Sequence, residues 1–282
     1  MGGCFSTGKA YHNSNSHYSG QASESARSAS SSASASPARL ELAPPSPEAE
    51  LPRLDVASPQ TLKKQRDLLF KRIESQGSSF RTDAHERGQF QAAYIARHES
   101  DFGGGKQSWD TEVWHLDWIR QQRPELAKVA KEDLVALRAW TTQDYTIVQD
   151  VLERDSEPTT EGLAYAKAIT SGLHSLPGSY EHRGTVFTGE NQGPQWVAEH
   201  HAVGEVATSR RFFATAETKE GAWQGKRVDW QTHSLSGKKI SAFSYHPDEQ
   251  EVLFPPGTKF RTDDVDASSE PGKTTIVQSE VR

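Results

Sequence analysis

The order of patterns along the chain predicts an α+β fold, with helices first and short strands afterward, behind a leader too polar to join a core. Three observations carry that expectation. Apolar residues recur at steps of three and four from Leu62 to about residue 175, the period of buried helix faces. From Gly184 onward the pattern changes to short runs rich in Val, Thr and Phe, bounded by Gly, Pro, Ser and Asp, as strands and turns are. Residues 1–58 hold fourteen serines and five prolines with few large aliphatics before Leu40, a composition that buries too little apolar surface to offset chain ordering. The chain therefore divides into a disordered Ser/Pro-rich leader over 1–58, a helical lead-in over 59–130 and a mixed domain over 131–282.

The leader opens on Met1-Gly2-Gly3-Cys4-Phe5-Ser6, which fits the N-myristoylation pattern with Gly2 as acceptor and Ser6 at the required position. Cys4 is the only cysteine of the chain, and it stands where a palmitoyl group would supply the second signal that one myristoyl chain needs for stable anchoring. The Ser/Ala tract from Ser23 to Ser36 and the proline-rich stretch from Pro37 to Pro59 read as a flexible, then stiffer, tether.

Behind the tether, Leu62, Leu69, Phe70 and Ile73 fall at helical spacing among Lys63, Lys64, Arg66, Lys71 and Arg72, an amphipathic helix with a solvated basic face. Further helices are predicted over 84–98 and 109–122, joined by a loop at Gly103-Gly104-Gly105, with Trp109, Trp114 and Trp118 expected in the core. Leu134, Leu137, Thr141, Tyr145, Val148 and Leu152 make one continuous stripe and predict a single helix over 131–154. The next helix, 159–175, is closed by Pro177 and Gly178. Strands are predicted over 183–188, 203–215, 227–233, 238–245, 250–254, 258–263 and 273–281.

Charge and composition exclude several classes. A net charge of −6 argues against a surface that wraps nucleic acid. No apolar run is long enough to span a bilayer, and the first thirty residues lack the apolar core of a secretory signal. A single cysteine allows no intramolecular disulfide and no cysteine-rich zinc site, and no metal is expected. His200 and His201 point about 100° apart on a helix and read as a surface pair. The triple glycine lacks the Lys-Ser/Thr of a phosphate-binding loop, and no Gly-x-Ser-x-Gly elbow occurs. Asp101, Asp110 and Asp117 read as solvated or capping acids, and Asp263, Asp264 and Asp266 as a turn. A monomer is expected.

One stretch points to chemistry: Asp248-Glu249-Gln250-Glu251-Val252-Leu253-Phe254-Pro255-Pro256-Gly257-Thr258. On an extended segment Glu249 and Glu251 would project from the same face. Two carboxylates so placed can divide labour between charge stabilisation and proton abstraction.

That stretch resembles the Glu-x-Glu motif of the mono-ADP-ribosyltransferases, in particular those injected by plant-pathogenic bacteria. The segment Trp140-Thr141-Thr142-Gln143-Asp144-Tyr145 is similar to the family's early helix. Arg183-Gly184-Thr185-Val186-Phe187-Thr188-Gly189 resembles its first strand, and Phe212-Phe213-Ala214-Thr215-Ala216 its Ser-Thr-Ser strand. Order and spacing agree over roughly residues 131–282, and the serine-rich leader resembles those of type III secretion substrates. The resemblance implies an ADP-ribosyltransferase-like β-sandwich core, NAD as cosubstrate and a host protein with an exposed arginine as acceptor. It implies secretion into the host cell, and with Gly2 and Cys4 acylated, the host plasma membrane. In that family the second glutamate, here Glu251, stabilises the oxocarbenium-like ribose as nicotinamide leaves, and the first, Glu249, orients or deprotonates the incoming guanidinium. Thr188, Gly189 and Thr215 are the implied dinucleotide contacts.

Two departures fall on those contacts. Thr188 stands where the family has an arginine, and a hydroxyl cannot replace a bidentate guanidinium on a pyrophosphate. Arg183, five residues earlier, projects from the opposite face of a regular strand. Ala214 replaces the first serine of Ser-Thr-Ser. Two alternatives remain open: a working transferase in which Arg210, Arg211 or a lysine supplies the phosphate contact, or an inactive module whose two carboxylates recognise an arginine-bearing partner. The basic helix from Lys63 to Arg72 is a further candidate for such a ligand, as an internal pseudo-substrate.

Overall fold

The computed structural model describes residues 54, 57–267 and 272–282; the acylation signals at Gly2 and Cys4 and nearly all of the predicted leader lie outside them. The helical part begins with α1 (Pro59–Gln76), which Ser58 caps by accepting from the Thr61 amide at 3.3 Å, with Pro59 at the first helical position. A reciprocal capping box between Asp83 and Glu86 starts α2 (Ala84–Arg97). It is followed by α3 (Gly104–Gln122), α4 (Lys131–Trp140), the single turn α5 (Tyr145–Val148) and α6 (Thr160–Ser175).

The helix expected over 131–154 is thus broken at Trp140. Thr141 and Thr142 bond back to the carbonyls of Arg138 and Ala139, each at 2.7 Å, and the Thr142 hydroxyl then accepts from the Asp144 amide at 3.2 Å. Hydroxyls that satisfy the backbone locally release it from the helical ladder. The apolar stripe persists across the break, because Tyr145, Val148 and Leu152 remain buried in the core that holds Leu134 and Leu137.

Two other helix expectations need correction. Of the three tryptophans on α3, only Trp109 is buried; Trp114 is 70% and Trp118 55% exposed. The basic side of α1 is not all solvated, since Arg66 is buried and donates to the carbonyls of Glu153, Arg154 and Ser156 at 2.7, 2.7 and 3.1 Å. Leu62, Leu69 and Ile73 of α1 join the core that also holds α2, α4 and α6, so α1 is a structural layer rather than a pseudo-substrate.

The strands follow as β1 (Gly184–Glu190), β2 (Val206–Thr208), β3 (Phe213–Ala216), β4 (Val228–Ser234), β5 (Lys238–Lys239), β6 (Glu251–Phe254), β7 (Lys259–Asp266) and β8 (Thr274–Val281), with a short helix α7 (Pro194–His200) after β1. They form one sheet in the order β2-β7-β8-β4-β1-β3-β6-β5, antiparallel except for the β4–β8 pair. The run predicted as one strand over 203–215 is two, one pairing with β7 and the other with β1 and β6. Only Lys238 and Lys239 of the predicted 238–245 strand pair in the sheet; Ile240 and Phe243 turn into the helical core. The acids Asp263, Asp264 and Asp266 belong to β7, across a register shift between Thr262 and Asp264, and not to a turn.

Leu253 packs into the helical core, whereas Val252 and Phe254 pack with Val186, Phe260 and Phe213 on the opposite side. Burial on both faces is why residues 252–254 read as an unbroken apolar run rather than an alternating one. A third cluster, Val197, Val228, Trp230 and Ile276, lies under α7. Residues from both 59–130 and 131–282 build the helical core.

Candidate functional site

The cross-strand register selects the residues that can act together. Phe187 of β1 pairs with Ala216 of β3, and Ala216 with Glu251 of β6. Paired residues of antiparallel strands project from the same face, so Phe187, Ala216 and Glu251 form one row across three strands. Gly189 belongs to that face by alternation, as does Ala214. Thr188 pairs with Trp230 and Thr215 with Val252, on the other face. Thr215 is buried there and donates to the Val252 carbonyl at 2.7 Å. The structure therefore brings Gly189 to the face of Glu251 and turns Thr188 and Thr215 away from it.

Glu251 opens β6 and is only 4% exposed. Its Oε1 accepts from the Trp140 indole Nε1 at 2.7 Å, both groups being buried. Trp140 is the last residue of α4, wedged against Tyr145 and Phe212 with ring centroids at 6.2 and 5.2 Å. The break after Trp140 thus delivers a donor to the carboxylate. A buried carboxylate held by a fixed donor is preorganised to face a developing positive charge.

Glu249 is positioned differently from the expectation of an extended pair. It ends a 3-10 turn over Pro247–Glu249, and Gln250 has φ 49°, the only positive value among the described non-glycine residues. This left-handed step separates the two glutamates, leaving Glu249 half-buried and Glu251 inside. The segment leading to Glu249 is fastened to the helices. The Thr141 hydroxyl accepts from the Tyr245 amide at 3.1 Å, the Arg138 guanidinium lies 3.7 Å from the centre of the Tyr245 ring, and Arg138 Nε meets Glu112 Oε2 at 2.6 Å. The Tyr245 hydroxyl also donates to Glu112, and burial together with that carboxylate pushes its pKa up to about 12, so it stays protonated.

A loop over residues 217–227 covers the Phe187–Ala216–Glu251 row. A Cβ on Gly221 would stand 2.7 Å from the Glu249 carbonyl oxygen and 3.2 Å from Ala216 Cβ; one on Gly189 would stand 2.3 Å from the Trp223 carbonyl oxygen. Glycine at these two positions is what lets the loop lie against β1 and against the Glu249 backbone. The loop start is tied by Glu217, whose carboxylate meets Lys239 at 2.8 Å and whose amide donates to the Gln250 carbonyl at 3.1 Å.

The arginines proposed to replace the missing guanidinium are committed elsewhere. Arg210 donates to the Leu152 carbonyl at 2.8 Å and stacks 3.9 Å over Phe70. Arg211 is buried and ion-paired with Asp150 and Glu153. Arg183 is exposed and paired with Glu181 at 3.0 Å.

The sequence missed Glu190, whose parity is that of Val186 on the buried face of β1; burial pushes its pKa up to about 7. His201 is not half of a surface pair: it is buried against Trp196 and Trp230, and burial lowers its pKa to about 4. Among the described residues, no group of three or more His, Cys, Asp or Glu is placed to hold a metal, and no helix is long and apolar enough to cross a membrane.

No family model matches the chain. Among solved structures it is similar to the type III effector XopAI from Xanthomonas axonopodis pv. citri, at 44% identity and a TM-score of 0.76, covering 84% of this chain and 98% of that one. The fold is shared with the ADP-ribosyltransferase HopU1 of Pseudomonas syringae pv. tomato DC3000, at 21% identity and a TM-score of 0.57, over 71% of this chain and 99% of that one. Among curated proteins it is 26% identical over 159 residues to the NAD(+)–protein-arginine ADP-ribosyltransferase Tre1 of Serratia proteamaculans strain 568, a match that covers 56% of this chain and 34% of that protein. The chain spans about a third or less of the length of the curated relatives it matches.

Proposed function

Because the chain belongs to the mono-ADP-ribosyltransferase family, in the type III effector branch that includes XopAI, we propose that it is an injected effector that transfers ADP-ribose from NAD to an arginine of a host protein. The observation that carries the proposal is the buried Glu251 carboxylate, fixed by the Trp140 indole at the β3–β6 junction. NAD supplies a ribose whose bond to nicotinamide breaks with positive charge building on the sugar, and a preorganised anion in a site with little water stabilises that charge strongly. Glu249, half-buried and two residues before it in the chain, is the group we assign to the acceptor guanidinium, which stays protonated at every physiological pH and so needs a base or an orienting carboxylate in order to attack. The donor set fits the dinucleotide: a fixed carboxylate in the row Phe187–Ala216–Glu251, with the lysine-bearing 217–227 loop against it.

We further propose that Gly2 and Cys4 are acylated in the host and hold the protein at the plasma membrane. Labelling by a myristate analogue that is lost in Gly2→Ala supports this, and equal labelling of the two proteins overturns it. The transferase reading is tested by incubating the full chain with NAD and an arginine-containing acceptor while following nicotinamide release. Release from wild type that Glu251→Ala abolishes is the expected result. No release above the Glu251→Ala level, with NAD bound by neither protein, would overturn it and leave arginine recognition without turnover.

A further inference from the structure

We propose that Lys219, with Lys226 beside it, holds the pyrophosphate of NAD in place of the guanidinium expected at position 188. This rests on the transferase reading above. Position 188 faces Trp230, away from Glu251, so a cation for the dinucleotide has to come from whatever covers the other face of β1. The 217–227 loop does so. Lys219 Nζ lies 5.7 Å from the centre of the Phe187 ring, and Phe187 is two strands from Glu251 in the same row, roughly 10 Å by strand spacing. Lys226 Nζ lies 5.0 Å from the Trp223 ring, and its Cγ would stand 2.9 Å from a Cβ on Gly189. Both ammonium groups therefore belong to the surface that adjoins the carboxylate.

Their lack of ion-pair partners, with only an aromatic ring against each ammonium, is the second observation. Neither Lys219 nor Lys226 makes an ion pair among the described residues, whereas the nearby Lys238 and Lys239 are bound to Glu181 and Glu217 at 3.4 and 2.8 Å. Arg210 and Arg211 are engaged with a carbonyl and with two carboxylates respectively. An ammonium binds phosphate as a point charge and needs no planar alignment, which suits a donor on a loop better than on a strand. The loop is seated by glycines at both Gly189 and Gly221, so its lysines are delivered by backbone packing rather than by long-range attraction.

The test is binding, not turnover. The full chain is titrated calorimetrically with NAD, with ADP-ribose and with nicotinamide, as wild type, Lys219→Gln, Lys219→Arg and Lys219→Gln/Lys226→Gln. Loss of one charge-assisted contact weakens NAD and ADP-ribose about 10- to 100-fold in Lys219→Gln, further in the double variant, while Lys219→Arg retains most of the affinity and nicotinamide binding is unchanged in all. Wild type binding both nucleotides and the double variant binding them equally well would overturn the role of the lysines and leave the transferase reading standing. Wild type binding neither NAD nor ADP-ribose would overturn that reading itself, and this inference with it.

Discussion

Replacing Trp140 by Phe removes one donor from one buried carboxylate, and the structure sets the size of the effect. The indole Nε1 is 2.7 Å from Glu251 Oε1, with the tryptophan 1% and the glutamate 4% exposed, so water has no ready access to take the place of the lost donor. A hydrogen bond to an ionised group contributes about 1.5–3 kcal/mol, which is about 10- to 100-fold in rate if the contact is used in the transition state. The smaller ring also leaves a void beside Tyr145 and Phe212, at a cost to folding of about 1–2 kcal/mol. The two effects separate with a control. Phe212→Leu loosens the packing of the same indole, 5.2 Å away, without touching the donor. Nicotinamide release at saturating NAD and the thermal midpoint are measured for both variants. Both should lose stability, and only Trp140→Phe should lose the larger part of its turnover. If Trp140→Phe melts earlier but turns over like wild type, the indole merely fills space and the preorganisation argument fails.

Glu190→Gln tests the buried acid at the end of β1, paired with Val228 of β4. Its folded pKa of about 7 against 4.5 for the free side chain means that the folded state holds the extra proton between those values, so wild-type stability declines as pH rises from 4.5 through 7, by about 3 kcal/mol in all. Glu190→Gln should remove that slope in denaturant titrations at pH 5 and pH 8; an unchanged slope would mean that the carboxyl finds water or a cation. Gly221→Ala introduces a Cβ 2.7 Å from the Glu249 carbonyl oxygen and should displace the 217–227 loop, weakening NAD binding with little change in thermal midpoint. Gly193→Ala, with nothing within 4 Å, serves as the neutral control, and equal NAD affinity in the two would refute the packing argument.

Much of the architecture was legible because helix and strand periods are local. The stripe at Leu62, Leu69 and Ile73 and the Val- and Phe-rich runs after Gly184 report burial along one element, whereas the caps at Ser58 and Asp83 emerge only in the structure. Errors fell where a local signal had two outcomes. Thr141 continues the buried stripe, yet it and Thr142 end the helix by bonding their own backbone, and Trp114 and Trp118 look like core residues but face outward. The Glu-x-Glu pair was visible as a pattern, but not the left-handed Gln250 that separates the two side chains.

By itself the sequence determined the order of helices and strands, the location of Glu249 and Glu251 and the absence of the expected arginine at Thr188, since each depends only on residues next to one another. Tertiary structure alone decided that Glu251 is held by Trp140, 111 residues away, that Thr188 and Thr215 lie behind the sheet, and that Lys219 lies over Phe187. The physical reason is register. A strand has two faces, and which one meets the carboxylate is set by pairing with strands far away in the chain, where a shift of one residue exchanges every side chain between the two sides.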